Sequence, residues 1–424
     1  MKVLVIGSGS REHAIIRKLK ENPTIGEIIC APGNGGIAAD AKCVSVSAID
    51  LANMVELAKN EKVDFCVVTP DDPLAMGMVD ILEMEGIPCF GPNANAAIIE
   101  SSKVFAKNLM KKYQIPTAGY AVFSDAQEAI NYIRTENRYP TVLKADGLAL
   151  GKGVLIAQTE EEAVQAVNEL MIDQAFGQAG KQIVIEEFMT GPEVSVLAFT
   201  DGHVVVPMIS SMDHKRALDN DEGLNTGGMG TIAPSPFYTK EIVEVCMKTI
   251  FLPTIEAMNQ EGRPFKGCLY FGLMLTPEGP RVVEYNCRFG DPETQVVLPL
   301  LKTDLLTIMR AVHDEKLSEV TIEWEDKACA CVILASGGYP QKYHKGYEID
   351  GLDDYGQVEG VTIYHAGTAW KDGKYYTNGG RVLGVSAVGD TLEQALQLSY
   401  DKIKEIHFTD MHYRTDIGRK VVKQ

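Results

Sequence analysis

The 424 residues contain no run apolar enough to cross a bilayer, which excludes a helical membrane protein. They also lack tandem repeats and low-complexity tracts, and the composition, 45% hydrophobic and 23% charged, is that of an ordinary globular chain. No pair among the nine cysteines has CxxC spacing. Cys30, Cys66, Cys329 and Cys331 sit inside apolar, strand-like runs, which argues against a disulfide framework or a zinc site and for free thiols in a reducing compartment. Positive charge is scarce: 40 Lys and Arg against 58 Asp and Glu give a net charge of −18. That balance argues against nucleic acid or an anionic membrane as partner. Phosphate binding then requires basic groups concentrated locally. The opening "MKVLVIGSGSREHA" starts a strand without a charged leader or cleavage pattern, so a cytoplasmic protein is expected.

The length exceeds what one core organises, so about three or four compact units are expected. Residues 1–100 alternate strands ("KVLVIG", "IGEIICAPG", "VDFCVVTP", "IPCFGP") with helical stretches over 12–20 and 51–59 and one between the last two strands. Such alternation predicts an open parallel α/β sheet covered on both faces. A helix, "SSKVFAKNLMKKY", opens a central region over 101–325, within which about 122–192 forms a smaller block. The final unit, 326–424, reads as α+β with short strands. It contains a hairpin "WKDGKYY" with an Asp-Gly turn and a helix over 391–406.

Several segments bear chemistry. Gly7-Ser8-Gly9-Ser10-Arg11-Glu12 follows a buried strand and opens a helix, where backbone N–H groups favour a phosphate. A dinucleotide loop needs a third small residue where Glu12 stands, so a nicotinamide cofactor is disfavoured. A smaller phosphate helped by Arg11 and His13, or a turn with no ligand, both stay open. In "RVVEYNCRFGDPETQ", strand alternation sends Val283, Tyr285 and Cys287 to a core and Glu284, Asn286 and Arg288 to the other face. An acid and an amide suit Mg²⁺ or Mn²⁺ bridging phosphates, and Arg288 can fork onto a carboxylate or phosphate. The competing reading is a solvated edge strand. Asp291 before Pro292 fits a helix N-cap, a role compatible with substrate binding.

"PTVLKADGLALGKGVLIA" places Lys144 at a strand end before a glycine turn over 147–153. There Gly151, Lys152 and Gly153 could cover a triphosphate; with no Ser or Thr opening a helix it is not a Walker A loop. An unliganded hairpin is the alternative. "KQIVIEEFMTGPEVSVLAF" puts Glu186, Glu187 and Phe188 at a strand end and Glu193 after a Gly-Pro turn, a set suited to adenosine. "MDHKRALDNDEGLNTGGMG" groups Asp213, His214, Lys215 and Arg216 as a basic cluster for an anionic substrate, or as an exposed loop. Asp219 and Asp221 do not make a calcium loop, because Gly223 and Leu224 occupy later ligand positions.

The order of these pieces resembles the ATP-grasp superfamily. Within it, "RFGDPETQV", "DHKR" with "NTGGMG", "LKADGLALGKG" and "NGGRVLGV" are similar to the glycinamide ribonucleotide synthetase family, over essentially the whole chain. The resemblance implies an N-terminal α/β domain, an ATP-grasp region with a small lid, and a C-terminal cap. It implies a cytoplasmic ligase, expected to be a monomer, that joins glycine to 5-phosphoribosylamine through glycyl phosphate at the expense of ATP in purine biosynthesis. Lys103, Lys144, Gly151, Lys152, Gly153, Glu186, Glu187, Phe188 and Glu193 then fall at ATP, and Glu284 and Asn286 at Mg²⁺ or Mn²⁺. Gly9, Ser10, Arg11, Asp213, Lys215, Arg288 and Asp291 fall at the two substrates, with Arg288, Lys144 and Asp291 closest to the chemistry. Three positions depart from the family pattern: Ser10 replaces a glycine, Leu150 replaces an alanine, and "TPDDPLAMG" has displaced an acid. The rival readings are another ATP-grasp ligase or carboxylase of purine ribonucleotides, a nicotinamide-dependent oxidoreductase and a non-catalytic nucleotide sensor.

Overall fold

The computed structural model describes residues 1–148, 153–173 and 180–422. The N-terminal sheet is parallel, with strands Lys42–Cys43, Glu27–Pro32, Lys2–Gly7, Phe65–Val68 and Cys89–Phe90 in that spatial order. Its central strand is buried on both faces, with Val3, Leu4, Val5 and Ile6 all solvent-free, as a helix-covered parallel sheet requires. Helices Ser10–Leu19 and Leu51–Asn60 belong to this unit; the second is capped by Asp50, which accepts from Asn53 N–H. The single helix expected between the last two strands is two, Asp71–Ala75 and Met78–Met84, because Gly77 between them adopts φ +87°.

Helices Ala94–Ser101 and Lys103–Lys112, separated by the capping Ser102, lead into the central region. A small antiparallel sheet follows, ordered Tyr120–Phe123, Ile183–Glu187, Thr141–Ala145 and Val154–Ala157. Helices Ala126–Glu136 and Glu160–Val167 pack on it through Ala129, Ile133, Ala163 and Val167 against Leu143 and Ile185. A second antiparallel sheet runs Val205–Pro207, Glu193–Thr200, Gly267–Thr276 and Gly279–Asn286. Its last strand departs from simple alternation. Gly272 lies opposite Glu284 and Leu273 opposite Val282, so Val283 is an unmatched bulge residue. Val282 therefore takes the core position expected of Val283, which is only half-buried, while Tyr285 and Cys287 keep theirs.

The C-terminal unit has the expected short strands, Glu348–Ile349, Thr362–His365, Thr368–Lys371 and Lys374–Thr377, but its sheet is built on two long ones. Ala328–Ala335 and Arg381–Gly389 run eight and nine residues, and their sheet is ordered Met212–Asp213, Gly230–Ala233, Ala328–Ala335, Arg381–Gly389, Thr362–His365. Its first two strands come from the middle of the chain, so the sheet is completed across units. The "WKDGKYY" hairpin forms as expected, pairing Thr368–Lys371 with Lys374–Thr377 through a turn in which Asp372 and Gly373 both have positive φ. Helix Leu392–Ile403 buries Ala395, Leu396 and Ile403 against Val332 and Val385. The nine cysteines are unpaired. Among the described residues, no helix is long and apolar enough to cross a membrane.

Two buried histidines join the first and last units. His365 N–H donates to His13 Nδ1 at 2.9 Å, and the other ring nitrogen of His13 meets Asp40 at 3.0 Å. His365 is solvent-free; burial, then the neighbouring His13, brings it down to about 3. The folded protein thus excludes a proton that the unfolded chain binds near pH 6.5, so stability is lost as pH falls below that value. The expected loss from this residue is about 2 kcal/mol between pH 7 and pH 5. Urea unfolding of the wild type and His365→Gln at both pH values measures it, the variant having the shallower pH dependence.

Candidate active site

The carboxylate of Glu284 projects from the strand Gly279–Asn286 beyond the bulge. Burial pushes it up, but Lys215, Lys144, Lys103 and Arg288 more than offset that and hold it below the usual carboxylate range. Lys215 lies 3.7 Å from it and also pairs with Glu193 at the start of strand Glu193–Thr200, two strands away in the same sheet. Burial opposes the charge of Lys215, yet Glu193 and Glu284 keep it protonated well above the ordinary lysine range.

Lys144 reaches the same place from the small sheet. Its Nζ donates to the carbonyl of Val283 at 3.2 Å and pairs with Glu186 at 3.1 Å, so the bulge supplies a carbonyl that anchors it. Glu186 also pairs at 3.1 Å with Lys107, which donates to Thr117 Oγ1 at 2.7 Å. Lys107 was not among the expected site residues. Its position one helical turn after Lys103 was the available signal. Burial brings Lys107 down to about 8. The second oxygen of Glu186 is buried and has no hydrogen-bond partner among the described residues. Lys103 Nζ donates to Gly147 O at 2.8 Å, fixing the start of the glycine turn, and Gly153 closes its far end by accepting from Ala145 N–H. Leu150, Gly151 and Lys152 lie outside the described residues. Glu187 faces Arg281 and Gly119 N–H, at 2.8 and 3.1 Å, and Phe188 is exposed beside it.

A second set surrounds Asp291. Its carboxylate accepts from Ser10 Oγ at 3.2 Å and Gln295 Nε2 at 2.7 Å, and pairs with Arg381 of the C-terminal sheet at 3.4 Å. Asp291 is therefore not a helix N-cap. The helical turn begins at Thr294, after Glu293, and charge-assisted bonds draw the Asp291 carboxylate away from the backbone. Burial raises its pKa, but Arg381 and Arg11 hold it below the usual range. Ser10, the departure from the family pattern, uses its hydroxyl to join this group, accepting from Gln295 at 2.8 Å.

The glycine loop is filled from within. Glu12 accepts from Gly9 N–H and Thr69 Oγ1 at 2.5 and 2.7 Å and pairs with Arg11 at 2.6 Å. Its side chain occupies the space a Cβ at Gly7 would need. A pyrophosphate has no place there, which removes the nicotinamide reading. Arg11 also donates to Phe289 O at 3.2 Å, and His13, expected to assist a phosphate, is committed to Asp40 and His365 instead.

The expected basic cluster over 213–216 is split by the turn. Only Lys215 reaches the acids. His214 is buried between Gly230 O and Gly418 N–H, both at 3.1 Å, and burial brings it down to about 4. Arg216 donates to Gly223 O. Asp213 accepts from His214 N–H at 2.7 Å, and burial, then Glu293, holds its carboxyl well above the usual range. Arg288 pairs with Glu100 at 3.1 Å, so it turns partly aside from Glu284 and Asn286, and its Nε is buried without a partner among the described residues.

Glu284 and Asn286 share one strand face and offer oxygen donors suited to a hard divalent cation, with phosphate and water completing the shell. Among the described residues no group of three His, Cys, Asp or Glu side chains could hold a metal alone. The donor set therefore fits a cation that arrives with phosphates. Lys103 and Lys144 place positive charge beside these donors.

Family profiles described as the N domain, the ATP-grasp (A) domain and the C domain of phosphoribosylglycinamide synthetase match residues 1–100, 101–294 and 329–420. The chain belongs to the phosphoribosylglycinamide synthetase family. It is 48% identical over 418 residues to the phosphoribosylamine–glycine ligase of Caldanaerobacter subterraneus subsp. tengcongensis, covering 99% of each chain. It is also 48% identical to the trifunctional purine biosynthetic protein adenosine-3 of Gallus gallus, covering 99% of this chain and 42% of that protein. The crystal structure of the Thermotoga maritima phosphoribosylamine–glycine ligase superposes with a TM-score of 0.85 at 34% identity, over 98% of this chain and 100% of that one. A biotin carboxylase domain from Hydrogenobacter thermophilus, solved with MgADP and bicarbonate, shares the fold at TM-score 0.73 and 17% identity, over 97% of this chain and 91% of that one.

In this family member the "NTGGMG" turn is tightly constrained. Gly228 has φ +116°, and a Cβ there would lie 2.4 Å from Pro292 Cδ and 2.7 Å from Asp213 Oδ1. Gly228→Ala is expected to cost about 1–3 kcal/mol of unfolding free energy through backbone strain, and to lower turnover by displacing Asp213 and the 291–292 segment. Denaturant unfolding alongside steady-state kinetics checks both.

Proposed function

We infer that this chain ligates glycine to 5-phosphoribosylamine, converting ATP to ADP and phosphate and yielding glycinamide ribonucleotide for purine biosynthesis. The observation that carries the reading is Glu284 ringed by Lys215, Lys144, Lys103 and Arg288, in a chain 48% identical from end to end to a phosphoribosylamine–glycine ligase. The work is assigned to a cytoplasmic monomer.

A carboxylate resists attack by an amine because oxide would have to leave. Transfer of the γ-phosphoryl group to a glycine carboxylate oxygen gives glycyl phosphate and ADP. The amine of phosphoribosylamine then attacks the carbonyl carbon, the carbon–oxygen bond to phosphate breaks, and the amine nitrogen loses a proton. No covalent bond to the protein forms, so the side chains align groups and balance charge. Lys103 and Lys144 hold the phosphates, and Glu186, Glu187, Phe188 and Glu193 line the adenosine side. Lys215 and Arg288 face the charge that develops on the transferring group. Asp213 and Asp291, with Ser10 and Arg11, orient the two amine-bearing substrates. Glu284 and Asn286 would hold Mg²⁺ or Mn²⁺, which would supply positive charge against the phosphates.

Glu284→Ala is expected to reduce ADP release about 10²–10³-fold at saturating Mg²⁺, the scale of losing one group that stabilises transition-state charge. The assay supplies glycine together with phosphoribosylamine generated in place. Near-normal turnover of the variant would remove Glu284 from the metal site. ADP release without glycine would reassign the chain to another ligase or carboxylase.

A further inference from the structure

The hairpin Arg216–Leu218 and Glu222–Asn225 begins directly after Lys215 and returns into the glycine turn at Gly227 and Gly228. Apolar packing does little to hold it. Leu218 and Leu224 are 47% and 50% exposed, and Ala217 is the one buried residue of its two strands. What fastens it is a short stretch near the C-terminal end, residues 412–418.

Arg414 pairs with Asp221 at 3.0 Å and donates to the carbonyl of Arg216 at 3.2 Å. Thr415 N–H donates to Asp219 Oδ1 at 2.8 Å, and its hydroxyl bonds the other oxygen of that carboxylate. Asn220 N–H donates to Asp416 at 2.8 Å, His412 Nε2 meets Ala217 O at 2.7 Å, and Gly418 N–H donates to His214. Arg414 is itself fixed by a bidentate pair with Asp416, at 2.7 and 2.9 Å, and is 1% exposed.

These contacts grip the residues on either side of Lys215, while the Lys215 side chain extends away from them to Glu193 and Glu284. A lysine stem is long and rotamer-rich, so its ammonium stays in place only if its backbone does. Without the guanidinium, Asp416 and Asp221 lose their shared partner and the hairpin loses its central tie.

We propose that Arg414 is a positioning residue for the ligase reaction, holding Lys215 against Glu193 and Glu284 through the 216–225 hairpin without touching substrate. The proposal rests on the reading of that site as the ligase centre. It gives the C-terminal end of the chain a part in catalysis that a protective cap alone would not have.

The test compares wild type, Arg414→Gln, Lys215→Met and the double variant by kcat and KM. In parallel, the rate at which acetic anhydride labels Lys215 in the free protein is followed by mass spectrometry. Arg414→Gln is expected to lower kcat by about tenfold or more when Lys215 is present and by less than about twofold when it is methionine, because the two changes act through one path. Labelling of Lys215 should accelerate relative to the other lysines, and Arg414→Lys should recover part of the loss. Equal losses in both backgrounds, or unchanged labelling, would overturn the proposal. If Arg414→Gln fails to fold, Thr415→Val removes a single hydroxyl bond to Asp219. A smaller loss that again disappears in Lys215→Met supports the proposal, and a loss independent of Lys215 refutes it. Labelling does not depend on activity. Absence of glycine-dependent ADP release in the wild type would therefore sink the functional reading while leaving the role of Arg414 decidable.

Discussion

The charge on Glu284 is sustained by cations that arrive from separate parts of the chain. Lys144 comes from the small antiparallel sheet, Lys103 from the helix that introduces it, Lys215 from the turn before the 216–225 hairpin, and Arg288 from the loop after the strand itself. Three of these four cations face an acid, Glu186 for Lys144, Glu193 for Lys215 and Glu100 for Arg288, while Lys103 donates to the carbonyl of Gly147. The protein as a whole carries −18, so this local concentration of positive charge is what permits an acidic chain to hold a triphosphate. On the proposed reading, a nucleotide binding here would exchange one set of ion pairs, carboxylates, for another, phosphate oxygens, rather than charge an empty cavity.

Around this centre the sheets act as brackets. The bulge at Val283 turns a carbonyl toward Lys144 while leaving Glu284 and Asn286 on the cleft side. Asp291 ties three regions together, bonding Ser10 from the first unit, Gln295 next to it and Arg381 from the last. The C-terminal sheet takes in the strands Met212–Asp213 and Gly230–Ala233, which flank the segment carrying Lys215. The C-terminal unit and the loop that carries Lys215 are therefore built together, and the buried His13–His365 contact closes them onto the N-terminal unit.

Features governed by local pattern were legible in the sequence. Alternating apolar strands and helices gave the parallel sheet, an Asp-Gly pair gave the late hairpin, and period-two alternation gave a common face for Glu284 and Asn286. What escaped depends on partners distant along the chain. Asp291 looks like a cap until Arg381, ninety residues on, draws its carboxylate aside. Glu12 looks like an obstacle to a phosphate loop, whereas it is the group that fills the loop, held by Thr69. A bulge shifts side-chain phase by one residue and leaves no mark in composition, so Val282 and Val283 exchanged places. The charged run 213–216 reads as one cluster, but a turn sends its members in different directions, and pairing of Met212–Asp213 with strand Gly230–Ala233 sets which of them faces the acids. Lys107 was within reach of helical spacing and was overshadowed by the glycine turn that follows.

Ligation through glycyl phosphate requires that a phosphoryl group move onto the glycine carboxylate before the amine attacks. Glycine labelled with ¹⁸O in both carboxylate oxygens tests that requirement directly in a single turnover with ATP, Mg²⁺ and phosphoribosylamine. The account requires one labelled oxygen to appear in the released phosphate, because the bond that breaks in the second step is the one between the carbonyl carbon and that oxygen. Phosphate carrying only unlabelled oxygen would contradict it.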